Sequence, residues 1–478
     1  MQLGDAVHAT TEACQAPDPG LRLPAPSGFS LPHPRRRLPI VDDLLAVRVG
    51  RPAQSLARWA EELGPIFEVQ SLGIRYVVAA GPAVIRDLSD DSRFCKHLGP
   101  EIDSLRVMGG DGLFTARTGE PNWFAAHELL MPAFSQSAMR SYHDAMLEVT
   151  AELLARWDGA AGRRTVDVPA DTTRATLESI VRCVSGYTFN LFDTRTTHPH
   201  VRHMVAGLKR AGLLGMVRAS ALPAFAARPV ERSLQRHAAH LIKACDEIIA
   251  ARCTETGRSP AREDLLQLML DSDLGITNIR YQLINFLIAG HETTSGALSF
   301  ALYYLGRNPD MFARARAEVD EVWGDTDQPS FENVAKLRYV RRVFDEALRL
   351  HPPVPGYYRA ARTDTVLAGV HPMRQGDWVL SLTSALHRDP QWGPDRDRFN
   401  PDRFEPQRVR HRQSGLYKPF GTGERSCIGR QFALHEAVVL LASVVRRYDL
   451  IVDPHYRLTV LERPTLLPKG FRLGLRRR

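Results

Sequence analysis

Phe420-Gly421-Thr422-Gly423-Glu424-Arg425-Ser426-Cys427-Ile428-Gly429 is the stretch whose reading decides the fold of this chain. Two glycines precede a lone cysteine, where the backbone must turn tightly and aim N–H groups at sulfur, a geometry glycine adopts cheaply. Gly429 follows, and the missing Cβ lets the main chain lie almost against a planar ligand. From Arg430 onward Phe432, Ala433, Ala437, Val438 and Leu441 recur at helical spacing. The spacing predicts Cys427 at a helix N-terminus, where the macrodipole and free N–H groups lower a thiol pKa. Such a cysteine suits the presentation of an anionic sulfur to haem iron, where an axial thiolate pushes electron density toward bound dioxygen.

Other readings of the cysteine are weaker. A buried structural cysteine needs none of these neighbours. No Cys-x-x-Cys pair occurs in the chain and Cys427 has no second ligand nearby, which disfavours zinc. Gly421-x-Gly423 lacks the third glycine of a dinucleotide loop, and no Lys-Ser/Thr pair follows as in a phosphate loop.

The run resembles the cysteine-loop signature of the cytochrome P450 superfamily. That resemblance implies a mainly α fold with small β-sheets, a triangular prism with haem b between a long central helix and the cysteine-loop helix. It implies Cys427 as the proximal iron ligand and Phe420 as the aromatic that shields the sulfur. Arg425 is then the partner of a haem propionate, and Gly429 lies beside the macrocycle.

Residues 279–305 are nearly uncharged, with a cap candidate at Thr277 or Asn278 and a stop at Gly306-Arg307-Asn308-Pro309. About 27 helical residues span about 40 Å, enough to cross a large domain or a membrane. His291-Glu292-Thr293-Thr294 at mid-segment argues against lipid, where such groups are expensive. Gly290 in a buried helix costs about 1 kcal/mol against Ala, which suggests that something approaches the backbone closely. Thr293 can bond the carbonyl four residues back or donate to a ligand, and Glu292 supplies a carboxylate beside it. Ala289-Gly290-His291-Glu292-Thr293-Thr294 resembles the oxygen-activation motif of the same superfamily, which implies Thr293 as proton-delivering residue and Glu292 as its acidic neighbour.

Glu346 and Arg349 stand three apart on one helix face, where they can meet. With Arg403 in Phe399-Asn400-Pro401-Asp402-Arg403-Phe404 they resemble the superfamily's structural triad behind the cysteine loop. Trp123 and His127 place two N–H-bearing rings one turn apart. The resemblance assigns both to a haem propionate, with Arg359 as a further candidate, although core packing is an equal reading of the rings alone. By the same matching Phe114, Leu287, Ala289, Gly290, Val354, Tyr357 and Thr465 line an apolar substrate pocket.

The wider chain fits one large unit. It has 478 residues, a net charge of +8 too diffuse to argue nucleic acid, and six cysteines, too few for a disulfide framework, so a reducing cytoplasm fits. No signal pattern or membrane span opens it. Residues 1–40 read as a Pro-rich, largely disordered lead ending in a wrapped entry segment, and residues 41–478 as a single haem domain, expected to be monomeric. Leu56, Trp59, Ala60 and Leu63 predict a helix stopped by Gly64, Ile66–Gln70 and Arg75–Ala80 a hairpin, and Trp378–Leu382 and Tyr456–Leu461 short strands.

Motif order from about residue 52 to 474 is similar to the haem domains of self-sufficient bacterial fatty-acid hydroxylases, but the fused flavin reductase of those enzymes does not follow here. Electrons ultimately from NAD(P)H are then expected through a separate ferredoxin or flavodoxin with its reductase. Arg408, Arg410, Arg412 and Arg430 would suit such an acidic donor, or form a solvated charge run. In Gly73-Ile74-Arg75-Tyr76 the hydroxylases' tyrosine remains while the carboxylate-anchoring arginine is displaced. Leu213, Leu214, Met216, Val217, Leu222 and Phe225 make the entrance lid apolar. The expected reaction is monooxygenation, with dioxygen supplying one atom for hydroxylation or epoxidation of a bulky apolar polyketide, macrolactam or terpenoid. A long-chain fatty acid is the close second substrate, cyclisation or desaturation an alternative outcome, and a non-catalytic haem sensor the rival from another class.

Overall fold

The first helical stripe becomes α1, Pro52–Leu63, closed by Gly64 at φ 97°. The computed structural model describes residues 31–35, 43, 50–71, 74–193, 198–220, 222–255, 264–462 and 465–478. The lead expected at residues 1–30 lies outside them. Of the entry segment, Leu31 is buried and the Pro32 carbonyl accepts the Glu68 N–H at 2.9 Å, so this piece wraps onto the first sheet.

The predicted hairpin forms as β1, Ile66–Ser71, and β2, Ile74–Ala79, paired antiparallel with Ile66 opposite Ala79. Three further strands join them: β3, Phe94–His97; β4, Tyr357–Ala361; and β5, Trp378–Ser381. The order across the sheet is β1-β2-β5-β4-β3, with β2 and β5 parallel. Valines and aromatics fill these strands because a half-buried pleated surface accepts branched and flat side chains.

Helices make up most of the rest. α2 is Gly99–Gly109, α3 Pro121–Leu130, α4 Met139–Asp158, α5 Val168–Ser185, α6 Pro199–Ala219 and α7 Arg228–Glu255. α8, Ile276–Arg307, is the long central helix; its 32 residues rise about 48 Å. α9 is Pro309–Trp323, α10 Arg338–Leu350, α11 Pro406–His411 and α12 Arg430–Arg447. β6, Tyr448–Val452, pairs antiparallel with β9, Arg472–Arg477, while β7, Val460–Glu462, pairs with β8, Leu466–Pro468.

Two apolar clusters share α8. Its C-terminal half packs Phe300 and Leu302 against Phe344 of α10 and Leu440 of α12. Its N-terminal half packs Leu283 and Leu287 with Ile180 of α5, Leu208 of α6, Leu241 of α7 and Phe432 of α12. Ile428 of the cysteine loop and Phe114 pack onto this second cluster, which brings three separate stretches to one place.

Some boundaries differ from expectation. Gly275, not Thr277 or Asn278, caps α8, because its carbonyl takes the Asn278 and Ile279 N–H groups while the Asn278 side chain is drawn away to Asp111 at 3.0 Å. Tyr456 falls outside the strand predicted there, its hydroxyl donating to the Lys469 carbonyl at 3.0 Å. Cys183, Cys245 and Cys427 are free thiols and Cys95 is disulfide-bonded. Among the described residues no helix is long and apolar enough to cross a membrane.

Candidate active site

The cysteine loop is built by its glycines. Gly421 and Gly423 both hold φ 72°, a region costly for other residues. A Cβ on Gly423 would stand 2.0 Å from Asp91 Oδ2, so only glycine admits that carboxylate. Asp91 fastens the loop from outside: Oδ2 accepts the Glu424 N–H at 3.0 Å and Oδ1 accepts Arg359 Nη2 at 2.7 Å. The Cys427 N–H donates to the Phe420 carbonyl at 2.9 Å, and the Arg430 guanidinium lies 5.8 Å from the Phe420 ring centre.

Helix α12 begins at Arg430, three residues beyond Cys427. This corrects the expected thiol chemistry. The cysteine is exposed along one side, but protein crowds its sulfur; burial pushes the thiol up and outweighs the Gly429 N–H and Arg430, which pull it down. The Gly429 N–H and Arg430 alone do not offset that burial.

On α8 the residues around the motif are buried except along one strip, where Ala289 is exposed and Thr293 partly so. Thr293 Oγ1 donates to the Ala289 carbonyl at 2.7 Å, as expected for a threonine four residues on. Glu292 is only 2% exposed, and its Oε2 accepts the Thr465 hydroxyl at 3.2 Å. Thr465 therefore supports the acid, a different place from the pocket lining predicted for it. Gly290 is corrected too. A Cβ there would meet Ile180 Cγ1 at 3.0 Å, so the glycine admits a neighbouring helix, and no ligand is needed to explain it.

A basic corner flanks the loop. Trp123 is buried, stacked on His127 at 4.6 Å and 23°, with the Arg425 guanidinium 4.2 Å from its ring centre. Arg425 Nη2 donates to the Ala116 carbonyl at 2.7 Å, and burial lowers its pKa to about 10. Lys96, which the sequence reading missed, sits beside it on β3 and donates to the Phe114 carbonyl. Burial, then repulsion from Arg425 and Arg106, push its ammonium well down. A cavity of about 160 Å³ lies among Lys96, Trp123, Arg359, Glu424 and Arg425. Arg359 is less available than predicted, since Leu88 and Phe94 carbonyls and Asp91 already hold Nε and Nη2.

These features fit a haem. An accessible thiol stands at a loop where a Cβ on Gly429 would meet nothing closer than Cys427 Sγ at 4.0 Å. Two crowded cations beside it would be relieved by carboxylates, which the propionates provide. The donor set includes no rival metal cluster: no group of three His, Cys, Asp or Glu that could hold a metal ion occurs among the described residues.

The Phe114 loop is pinned by an amide that sequence reasoning did not single out. Asn285 Oδ1 accepts the Phe114 and Thr115 N–H groups at 2.9 and 3.0 Å, while Nδ2 donates to the Gly109 and Tyr281 carbonyls. Gln282 takes the Leu113 N–H. Leu287 is buried below them. Val354 is exposed and Tyr357 partly buried, opposite Ser381 in the sheet.

Behind the loop the predicted triad assembles. Arg349 Nε and Nη2 each lie 2.7 Å from a Glu346 oxygen, a bidentate pair with both side chains fully buried. Arg403 Nε is 3.5 Å from Glu346, and its other nitrogens donate to the Trp392 and Asp395 carbonyls. Arg412 belongs to this cluster, its guanidinium 4.4 Å from the Trp392 ring centre and 4.6 Å from that of Phe404. That removes it from the basic surface expected to face an electron donor; Arg408, Arg410 and Arg430 remain exposed.

A thiol loop backed by a buried ion triad and faced by a threonine-bearing helix defines a haem-thiolate protein. The sequence profile of the cytochrome P450 family matches residues 32–473. A bifunctional cytochrome P450/NADPH–P450 reductase of Bacillus subtilis is 40% identical over 89% of this chain and 40% of its own length. One from Bacillus cereus is 38% identical over 95% and 42%. A self-sufficient cytochrome P450 monooxygenase of Penicillium expansum is 35% identical over 93% and 43%. The chain thus belongs to the cytochrome P450 family and spans less than half the length of these curated relatives. Members of that family are haem-thiolate proteins, and the residues gathered at this site fit that group.

Proposed function

We propose that the protein is a monooxygenase inserting one oxygen atom from dioxygen into a C–H bond or alkene of a bulky, mostly apolar natural product such as a polyketide, macrolactam or terpenoid. The observation that carries the reading is the accessible Ala289–Thr293 strip between buried neighbours at the middle of α8, backed by the Thr465-anchored carboxylate of Glu292.

Haem, when bound, supplies the iron at which dioxygen is reduced and cleaved. Cys427 would hold it by the sulfur, and Arg425, Lys96, Trp123 and His127 would take the propionates. Thr293 would turn Oγ1 from the Ala289 carbonyl to hold a proton toward the haem side, and the buried Glu292 carboxyl would serve as the acid group nearby. Leu287, Ala289 and Phe114 keep the substrate side apolar and exclude water.

Two observations favour an apolar substrate over a free acid. Arg75 is bound to Glu68 at 2.7 Å, which neutralises the cation nearest Tyr76. Met216, Leu222 and Phe225 expose 49%, 52% and 66% of their surface along the expected lid. A long-chain fatty acid is the second reading, since Arg75 keeps 31% of its side chain exposed and can turn outward. Electrons would come from a separate ferredoxin or flavodoxin system meeting Arg408, Arg410 and Arg430. The buried free thiols Cys183 and Cys245 would suit a reducing cytoplasm, while the disulfide at Cys95 argues the other way.

The test is a substrate screen by haem absorbance, followed by product analysis with a surrogate electron donor. Apolar polycyclic or macrocyclic compounds should shift the spectrum and give oxygenated products. Tight binding confined to simple long-chain acids removes the first substrate class. A Cys427→Ser protein that retains the thiolate signature of its ferrous–carbon monoxide complex sinks the whole reading.

A further inference from the structure

A second cleft, of about 520 Å³, shares no lining residue with the site above. It opens between the last turn of α8, the start of α9 and the segments around Phe399 and Tyr456. Its size lies within the usual range for small-molecule sites, about 300–1,000 Å³. The walls are aromatic: Tyr303 meets Tyr456 edge-on with ring centres 6.0 Å apart, and Tyr304 stacks on Phe399 at 4.3 Å and 4°.

The rim is cationic and uncompensated. Arg307, Arg398 and Arg457 line the cleft and, among the described residues, no Asp or Glu does. Arg307 Nη2 donates to the Asp453 and Tyr456 carbonyls at 3.1 and 2.6 Å, and Arg457 Nη1 to the Pro454 carbonyl at 2.9 Å. Those acceptors are neutral. Arg307 Nε is buried without a partner. The Asp453 carboxylate accepts the His455 N–H and leaves the arginines alone. The C-terminal end of α8 contributes about half a negative charge, far less than three guanidiniums.

We propose that this cleft binds a planar aromatic anion, an aryl carboxylate or aryl phosphate, with its ring against Tyr303 and Tyr456 and its charge on the three arginines. Guanidinium groups pair anions through charge-assisted hydrogen bonds, and aromatic walls supply offset or edge contacts to a flat ring. A neutral ring of the same shape forfeits the first of these terms.

The holoenzyme is titrated by calorimetry with 2-naphthoate, 2-naphthyl phosphate and the neutral 2-naphthol, while haem absorbance is recorded in parallel. Both anions should bind saturably without changing the haem spectrum, and 2-naphthol about tenfold or more weaker, the equivalent of one lost charge-assisted contact. The double variant Arg398→Gln/Arg457→Gln alters only exposed side chains and should weaken both anions about tenfold while leaving the haem spectrum and thermal unfolding unchanged. Equal binding of 2-naphthol, unchanged anion binding in the double variant, or a haem shift that tracks the calorimetric curve each overturns the proposal.

Discussion

The region behind the cysteine loop and the region in front of it are held by different kinds of bond. Behind, Arg349, Arg403 and Arg412 fasten long side chains to a buried carboxylate, to backbone carbonyls and to aromatic faces. In front, Asn285, Gln282 and Thr293 work through neutral hydrogen bonds, and the lid shows apolar side chains to solvent. The first arrangement fixes the loop that must hold a metal; the second leaves a substrate side that can adjust. Removing one member of a buried ion set strands its partner's charge, whereas removing one neutral bond leaves a smaller debt.

The sharpest break in that contrast comes from Arg349→Ala, which takes the bidentate partner from the buried Glu346 and leaves it only Arg403 at 3.5 Å and the Asn400 N–H. It should lower stability by about 3–5 kcal/mol in chemical denaturation and reduce haem retention. An apolar double replacement of Glu346 and Arg349 should lose less.

Glu436 on α12 gives a pH-dependent version of the same test. Both its oxygens are buried, and burial, offset only in part by the nearby Ser179 hydroxyl, raises its pKa from 4.5 to about 8. The folded protein keeps a proton that the unfolded chain releases. This contribution is complete below about pH 4.5 and is lost as pH rises toward 8, at up to about 1.4 kcal/mol per unit. Glu436→Gln should flatten that slope in denaturation measured from pH 5 to 8.

On the front side, Asn285→Ala strips two N–H groups of their acceptor and should cost about 1–3 kcal/mol. Hydrogen exchange should rise at Phe114 and Thr115 while the cysteine loop stays protected. Thr293→Ala should have the smallest effect on stability, below about 1 kcal/mol, because its bond is local to its own helix. Its consequence should show in turnover instead, as NADPH consumption that outruns product.

The same contrast explains what could be read in the sequence. The cysteine loop, the Glu346–Arg349 pair and the central helix are local patterns: glycines at fixed offsets, charges three apart, a long uncharged run. Asn285, Lys96 and the Thr465–Glu292 contact depend on partners brought together only by folding, with Thr465 lying 173 residues from Glu292. An amide inside an apolar helix and a lysine in a four-residue strand carry no periodic signal. Gly290 misled for a similar reason, since a missing Cβ looks the same whether a cofactor or Ile180 fills the space. Arg412 misled because an arginine near other arginines in sequence can still turn inward onto tryptophan.

Asp91 carries one further implication. A single carboxylate in the first fifth of the chain braces a turn whose residues are made some 333 positions later. During synthesis the acid can meet Arg359 first, but its second oxygen must wait for the Glu424 N–H until most of the polypeptide has emerged. Maturation of the iron-binding turn should therefore be a terminal event, and a ribosome-stalled chain lacking the last hundred residues should show helical structure yet fail to take up pigment.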